Sequence, residues 1–311
     1  MRRNSNNKKF NKEEKIEITA IYKVNRSDEL LTFLLAKCNT SRNNVKMLLS
    51  NHQVLVNGSV VTQYNLMLAK DDEVKISKKP ILTNQKSNLP KPKRKFFSID
   101  IIYEDSDFIA IDKPQGLLSV ESDKERECAF NYVLEYLQAK NKALRPFILH
   151  RIDKETSGVL VFAKNVKIHS MLRLNWNDYV KTREYHAVVE GVLENKEDTI
   201  TSYLMENSNN LVYSTQNPSG QKAITNYKVI KQSQEFSLLR VNILTGRKNQ
   251  IRVHMQDLSH PIVGDDKYGH TKNPLKRLGL HASKLEFVHP ITNELIEIKA
   301  KVPNIFHGLF K

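Results

Sequence analysis

The chain reads as an α+β protein: a mixed, mainly antiparallel β-sheet with flanking helices, preceded by a small α/β module. Three observations carry this reading. From about residue 97 onward, short apolar runs alternating with period two far outnumber helical patterns. Before residue 79, two short amphipathic helical patterns stand among strand-like runs. Between the two, residues 79–96 contain Pro80, Pro90 and Pro92, many lysines and no acidic residue, the composition of an extended linker. The expected organisation is a first module at 15–78, a basic flexible linker at 79–96 and a larger module at 97–311.

In the first module, Glu17–Tyr22 reads as a strand. Ser27 or Asp28 then caps a helix whose Leu30, Leu31, Leu34 and Leu35 form one stripe. A second helix follows Thr40 or Ser41, with Val45, Leu48 and Leu49 inward; Arg42 and Lys46, four apart, share its outer face. Asn57-Gly58 between two β-branched runs is a strong hairpin signal, and Asp71-Asp72 turns into a last strand, Glu73–Ser77.

The larger module opens with a hairpin of Ile101–Tyr103 and Phe108–Asp112, then a Pro/Gly turn at Lys113–Leu117. A helix over about Cys128–Gln138 keeps Phe130, Val133, Leu134 and Leu137 on one side. Val159–Ala163 reads as a buried strand, and further strands are expected at Glu184–Glu190, Val212–Ser214, Lys222–Val229, Ser237–Leu244, Leu280–Val288 and Leu295–Ala300. Ile251, Met255 and Leu258 mark one face of a helix between them.

Composition narrows the function. At 311 residues the chain is long enough for about two domains. A net charge of +15 and a pI near 9.6 favour a polyanionic partner, because Lys and Arg displace the counterions condensed on nucleic acid. The two cysteines, Cys38 and Cys128, are far apart and form no C-x-x-C pair, which points to a reducing, cytoplasmic setting without disulfides. Met1–Lys15 is polar and basic, unlike a signal peptide or anchor, and no run is apolar enough to span a membrane. Dinucleotide-binding glycines, H-E-x-x-H and clustered Cys/His ligands are all missing, so neither cofactor nor metal is expected.

The most informative segment is His150-Arg151-Ile152-Asp153-Lys154-Glu155-Thr156-Ser157-Gly158, a polar loop feeding directly into the apolar strand. A rigid element therefore holds its carboxylate, as reactive groups are usually held. Local composition alone leaves open that Asp153 caps a turn and pairs with Arg151. The segment, however, resembles the central motif of the RluA-type RNA pseudouridine synthases, with every fixed position filled. Three other stretches are similar to motifs of that family: Asp112-Lys113-Pro114-Gln115-Gly116-Leu117, Arg183 to Gly191, and Thr245-Gly246-Arg247-Lys248-Asn249-Gln250-Ile251-Arg252-Val253-His254, in which Lys248 and Asn249 replace the frequent Thr and His.

The resemblance implies isomerisation of uridine to pseudouridine in RNA. Asp153 would be the nucleophile or the base acting on the sugar, and Tyr185 would lie against the uracil and help to deprotonate the product carbon. Arg252 would pair with Asp153, and Arg151 would fill the space left by the flipped base. His150, Thr156, Arg247 and Gln250 are expected to touch substrate RNA. A solvated Asp has a pKa of about 3.9, so Asp153 should be ionised at neutral pH unless burial raises it. Arg252 would then serve to aim the carboxylate, an attraction on the order of 4 kcal/mol at 4 Å and a dielectric near 20, before desolvation.

The first module, through Ser41 to Leu49 and Val54 to Gly58, resembles the small S-four-type RNA-binding domain, named for a ribosomal small-subunit protein. That resemblance sets Arg42, Lys46 and the Asn57-Gly58 turn against phosphates and makes the module a docking element. Ribosomal RNA of the large subunit is the expected partner by analogy, with transfer RNA left open, and the chain is expected to act as a monomer. A non-catalytic RNA-binding or ribosome-assembly factor on the same fold is the alternative.

Two segments mislead. His150–Asp153 is not the kinase H-R-D loop, because Ile152 intervenes. Gly264–Thr271 nearly spells a P-loop, yet His270 stands where the lysine is needed, and the segment is similar instead to the family's G-D-x-x-Y-G turn. His281 fits a buried structural histidine.

Overall fold

A computed structural model describes residues 17–81, 98–122, 125–269 and 273–310. These gather into two compact units, one within residues 1–92 and the other within 93–311. The division falls inside the stretch expected to be a linker, whose residues from 82 on lie outside the described ones, as do Met1–Lys15 and His270.

The first unit contains β1 (Ile18–Lys23), β2 (Asp28–Glu29), α1 (Leu30–Cys38), α2 (Arg42–Ser50), β3 (Val54–Val56), β4 (Ser59–Val60), β5 (Met67–Leu68) and β6 (Glu73–Ser77). Its sheet runs β1-β6-β3-β4, closed by Leu30, Leu31, Phe33 and Leu34 of α1 and Val45 and Leu49 of α2. Ser41 caps α2 by accepting the Asn44 N–H at 3.2 Å. Neither Ser27 nor Asp28 caps α1 as expected. The β2–β5 ladder draws that segment away, so the Ser27 hydroxyl donates to Leu68 O and Glu29 becomes the N-cap without a side-chain bond. Asn57 and Gly58 both take positive φ, 50° and 82°, as a tight two-residue hairpin turn requires.

The second unit contains β7 (Asp100–Glu104), β8 (Phe108–Lys113), α3 (Ala129–Lys140), β9 (Phe147–Ile148), β10 (Ser157–Ala163), α4 (Val166–Leu174), α5 (Trp176–Tyr179), β11 (Val180–Glu190), β12 (Glu197–Glu206), β13 (Val212–Thr215), β14 (Gln221–Gln232), β15 (Phe236–Ile243), α6 (Gln250–Asp257), β16 (Leu280–Val288), β17 (Leu295–Lys299) and α7 (Asn304–Gly308). One long sheet runs β13-β12-β14-β15-β11-β16-β10-β8-β7, with β17 on β16 and β9 on β10. Its pairs are antiparallel except β10 with β16, which makes the sheet mixed.

Strand β10 explains why the site is rigid. All seven of its residues are buried, so both faces are covered. Val159, Val161 and Ala163 pack with Ile168 and Leu172 of α4, while Leu160 and Phe162 pack with Val133 and Leu137 of α3. Helix α4 was not anticipated; Asn165 caps it by accepting the Ile168 N–H at 2.9 Å. Strand β12 was also missed, because its first five residues carry no buried side chain and pairing with β13 and β14 sets its extent.

Candidate active site

The loop between β9 and β10 carries Asp153, and buried groups pin it on both sides. The Ser119 hydroxyl donates to Ile152 O at 2.7 Å and accepts the Ile152 N–H at 3.3 Å. Lys113 is fully buried at the end of β8, and its Nζ donates to Pro114 O, Leu117 O and Lys154 O at 2.9, 2.7 and 3.0 Å. Burial pulls the Lys113 pKa down to about 7. On the other side, His150 Nε2 accepts the Val161 N–H at 3.1 Å, and its ring stacks on Trp176 with centroids 5.5 Å apart. A ring nitrogen that accepts a backbone N–H carries no proton, so His150 is neutral with its proton on Nδ1. Burial, with Arg183 adding, holds its pKa down to about 3.

This loop opens onto a cavity of about 950 Å³, within the usual range for small-molecule sites. The eight site residues expected in the larger module, His150, Arg151, Asp153, Thr156, Tyr185, Arg247, Gln250 and Arg252, all line it. Arg42, Lys46 and Asn57 belong to the first unit. There Arg42 and Lys46 are exposed on α2, with Lys46 Nζ 5.2 Å from the Tyr64 ring centre. The Asn57 amide is instead tied into the fold, donating to Asp72 and accepting the Glu73 N–H.

Burial raises the Asp153 pKa; Arg252, Lys113 and Arg151 oppose it in that order, and Asp265 adds to it. Tyr185 enters from β11, and burial pushes its phenol up to about 12, so the resting side chain is protonated at neutral pH. The proton-accepting part of its expected role therefore requires a phenolate formed during the reaction. Arg183, two residues earlier on the same strand face, also lines the cavity and donates to Leu244 O at 2.7 Å. The sequence reading gave Arg183 no role, although its period-two spacing from Tyr185 was a usable signal. Ser119 and Trp176 were missed as well, because only the fold brings them to this loop, whereas Lys113 belongs to a motif whose resemblance already implied a structural, supporting role.

Two expectations are corrected. Arg252 does not pair with Asp153; its Nε and Nη2 donate to the two carboxylate oxygens of Asp265 at 2.7 and 2.6 Å. Asp265 follows α6 in a tight turn and reaches the guanidinium first. Gln250 has no amide atom left for substrate. Its Oε1 accepts from Thr245 Oγ1 and Arg247 N, while its Nε2 donates to Ile224 O and Thr225 Oγ1, which clamps the loop before α6. His281 is buried as expected, with Nδ1 2.8 Å from Ser157 Oγ. Among the described residues no helix is long and apolar enough to cross a membrane.

A family model described as RNA pseudouridylate synthase matches residues 107–257, the stretch that holds Asp153, Tyr185 and Arg252. The uncharacterized RNA pseudouridine synthase YhcT of Bacillus subtilis is 33% identical over 258 residues, 82% of this chain and 83% of its own. YlyB of the same organism, which bears the same description, is 32% identical over 299 residues, 93% of this chain and 94% of its own. The ribosomal large subunit pseudouridine synthase D of Borreliella burgdorferi is 35% identical over 226 residues, 70% of this chain and 68% of its own. Among solved structures, human RNA Pseudouridylate Synthase Domain Containing 4 shares the fold, with a TM-score of 0.55 at 23% identity over 66% of this chain and 89% of that one. A sheet of this topology and relatives this similar over most of the chain lead to one conclusion: it belongs to the RNA pseudouridylate synthase family, whose members are isomerases.

Proposed function

We propose that this enzyme isomerises particular uridines of large-subunit ribosomal RNA, with Asp153 as the group that attacks the sugar or removes a proton from it. The convergence of Asp153, Tyr185 and Arg252 on one cavity carries the reading. The bond from ribose C1′ to N1 breaks, the base turns, and C1′ bonds to C5. The C5 proton leaves and N1 regains one, so no oxidant or external group enters the balance. Either route needs an ionised carboxylate, and a desolvated one is the more reactive. Tyr185 stacks on the uracil, and exposed Arg151 fills the gap left by the flipped nucleotide, whose unstacking costs a few kcal/mol. The ribosomal target is carried over from similarity to the Borreliella burgdorferi protein. The first unit serves as an S-four-like docking element, touching phosphates through Arg42 and Lys46. The two free cysteines suit a cytoplasmic enzyme, here taken to be a monomer.

The test uses total RNA from cells lacking the gene, incubated with the full-length protein without added metal or nucleotide and mapped for pseudouridine at base resolution. Wild-type protein is expected to modify specific uridines, and Asp153→Asn to bind the RNA without turnover. Binding by both without turnover by either would instead make the protein a non-catalytic RNA-binding factor. Modification confined to transfer RNA would overturn the ribosomal assignment alone.

A further inference from the structure

We propose that Asp265 is a positioning residue for this isomerisation: it grips Arg252 by two nitrogens, fixes the guanidinium at the wall of the cavity, and keeps it from quenching Asp153. The proposal rests on the reading of the cavity as the isomerisation site.

The grip is built from several contacts. The Asp265 side chain is fully buried and takes Arg252 Nε and Nη2 in a parallel two-bond arrangement, the strongest form of such a pair. Its Oδ1 also accepts the N–H groups of Lys267 and Tyr268 at 3.0 and 2.9 Å, so the carboxylate cannot swing away. The guanidinium lies 5.1 Å from the Tyr268 ring centre, and the Tyr268 hydroxyl is tied to Asn249 Nδ2 and Val212 N. Gly264 sets the turn with φ +72°, where a Cβ would meet Arg277 O at 2.2 Å. Arg252 Nη1 has only Asn249 Oδ1 at 3.5 Å, the outer limit of a hydrogen bond.

Three carboxylates thus surround one buried guanidinium: Asp265 with two hydrogen bonds, exposed Asp266 with Oδ1 3.5 Å from Nη2, and Asp153 through space. A carboxylate that held Arg252 outright would be stabilised in the ground state and weakened as nucleophile or base. Because Asp265 holds Arg252, Asp153 receives the cation's field without its hydrogen bonds. The groups facing Asp153 are Arg252 from α6, Lys113 from β8, Arg151 from its own loop, the Tyr185 phenol from β11 and the repelling Asp265.

In the full-length protein, Asp265→Asn keeps an acceptor for Lys267 and Tyr268 and removes the charge. Assayed on the same total RNA, it is expected to lower kcat about a hundredfold with RNA affinity unchanged. It should also shift the acid limb of the kcat profile to lower pH, since Asp153 loses a repelling neighbour and gains Arg252. Asp265→Glu keeps the charge but displaces it, so kcat should fall while the acid limb stays at the wild-type pH; this variant carries the test if Asp265→Asn does not fold. Wild-type kcat in Asp265→Asn, or an acid limb that stays or moves to higher pH, overturns the proposal while leaving the cavity's role intact. Absence of turnover by the wild-type protein overturns both.

Discussion

At the scale of single residues, Asp153 is held in a state the fold disfavours. Burial raises its pKa, so the native chain keeps the proton to higher pH than the unfolded chain, where the value is about 3.9. Between those two values the native state binds more protons, and stability therefore falls as pH rises through the window. Below the unfolded value the carboxyl is neutral in both states and costs nothing. Above the native value the full penalty of a buried charge is present. Asp153→Asn is accordingly expected to unfold at higher urea concentration than wild type at pH 7, by about 1 kcal/mol, with the gap narrowing as the pH is lowered toward 4. A variant less stable than wild type at pH 7 would mean that the cations around Asp153 outweigh its burial.

At the scale of elements, the join between β10 and β16 governs the site. Gly158 sits at φ +114°, and a Cβ there would lie 2.1 Å from Ala282 O and 2.7 Å from Ala282 N, both backbone atoms of β16. Neither can yield as a side chain would, so Gly158→Ala must part the two strands. It should cost about 3 kcal/mol or more in urea unfolding and lower kcat in the protein that still folds, because Asp153 lies five residues upstream in the loop that feeds β10. Unchanged stability would show that β10 and β16 separate freely. The glycine also shows what a sequence can reveal. Its place in the loop motif was readable, but its reason was not, since Ala282 is far along the chain. Strands with period-two alternation, such as β14 and β17, were legible because each buries alternate residues. Strand β12, helix α4 and the partner of Arg252 were not, because pairing and packing among distant segments decide them. Asp265 itself lies in a segment that nearly spells a phosphate loop but whose acidic residues would repel phosphate, and nothing local in that turn points to the guanidinium it holds.

At the scale of the whole molecule, a net charge of +15 makes RNA affinity largely a matter of counterion release. Each phosphate contact contributes about 0.7 to 0.9 to the slope of log affinity against log salt, so the slope counts contacts without requiring that they be seen. Arg42 and Lys46 are exposed one helical turn apart on α2, and the Tyr64 ring under Lys46 limits the freedom that Lys46 would lose on binding. Replacing both by Ala in the full-length protein should flatten the salt slope by about 1.4 to 1.8 while leaving kcat at saturating RNA unchanged. Asn57→Ala should behave differently, because the Asn57 amide binds Asp72 and Glu73: it should lower stability and leave the salt slope alone. If the slope instead follows Asn57 and ignores the two cations, the first unit meets RNA through its hairpin rather than through α2. The charge that sets affinity would then lie around the cavity, where Arg151, Arg173, Arg183 and Arg247 already stand.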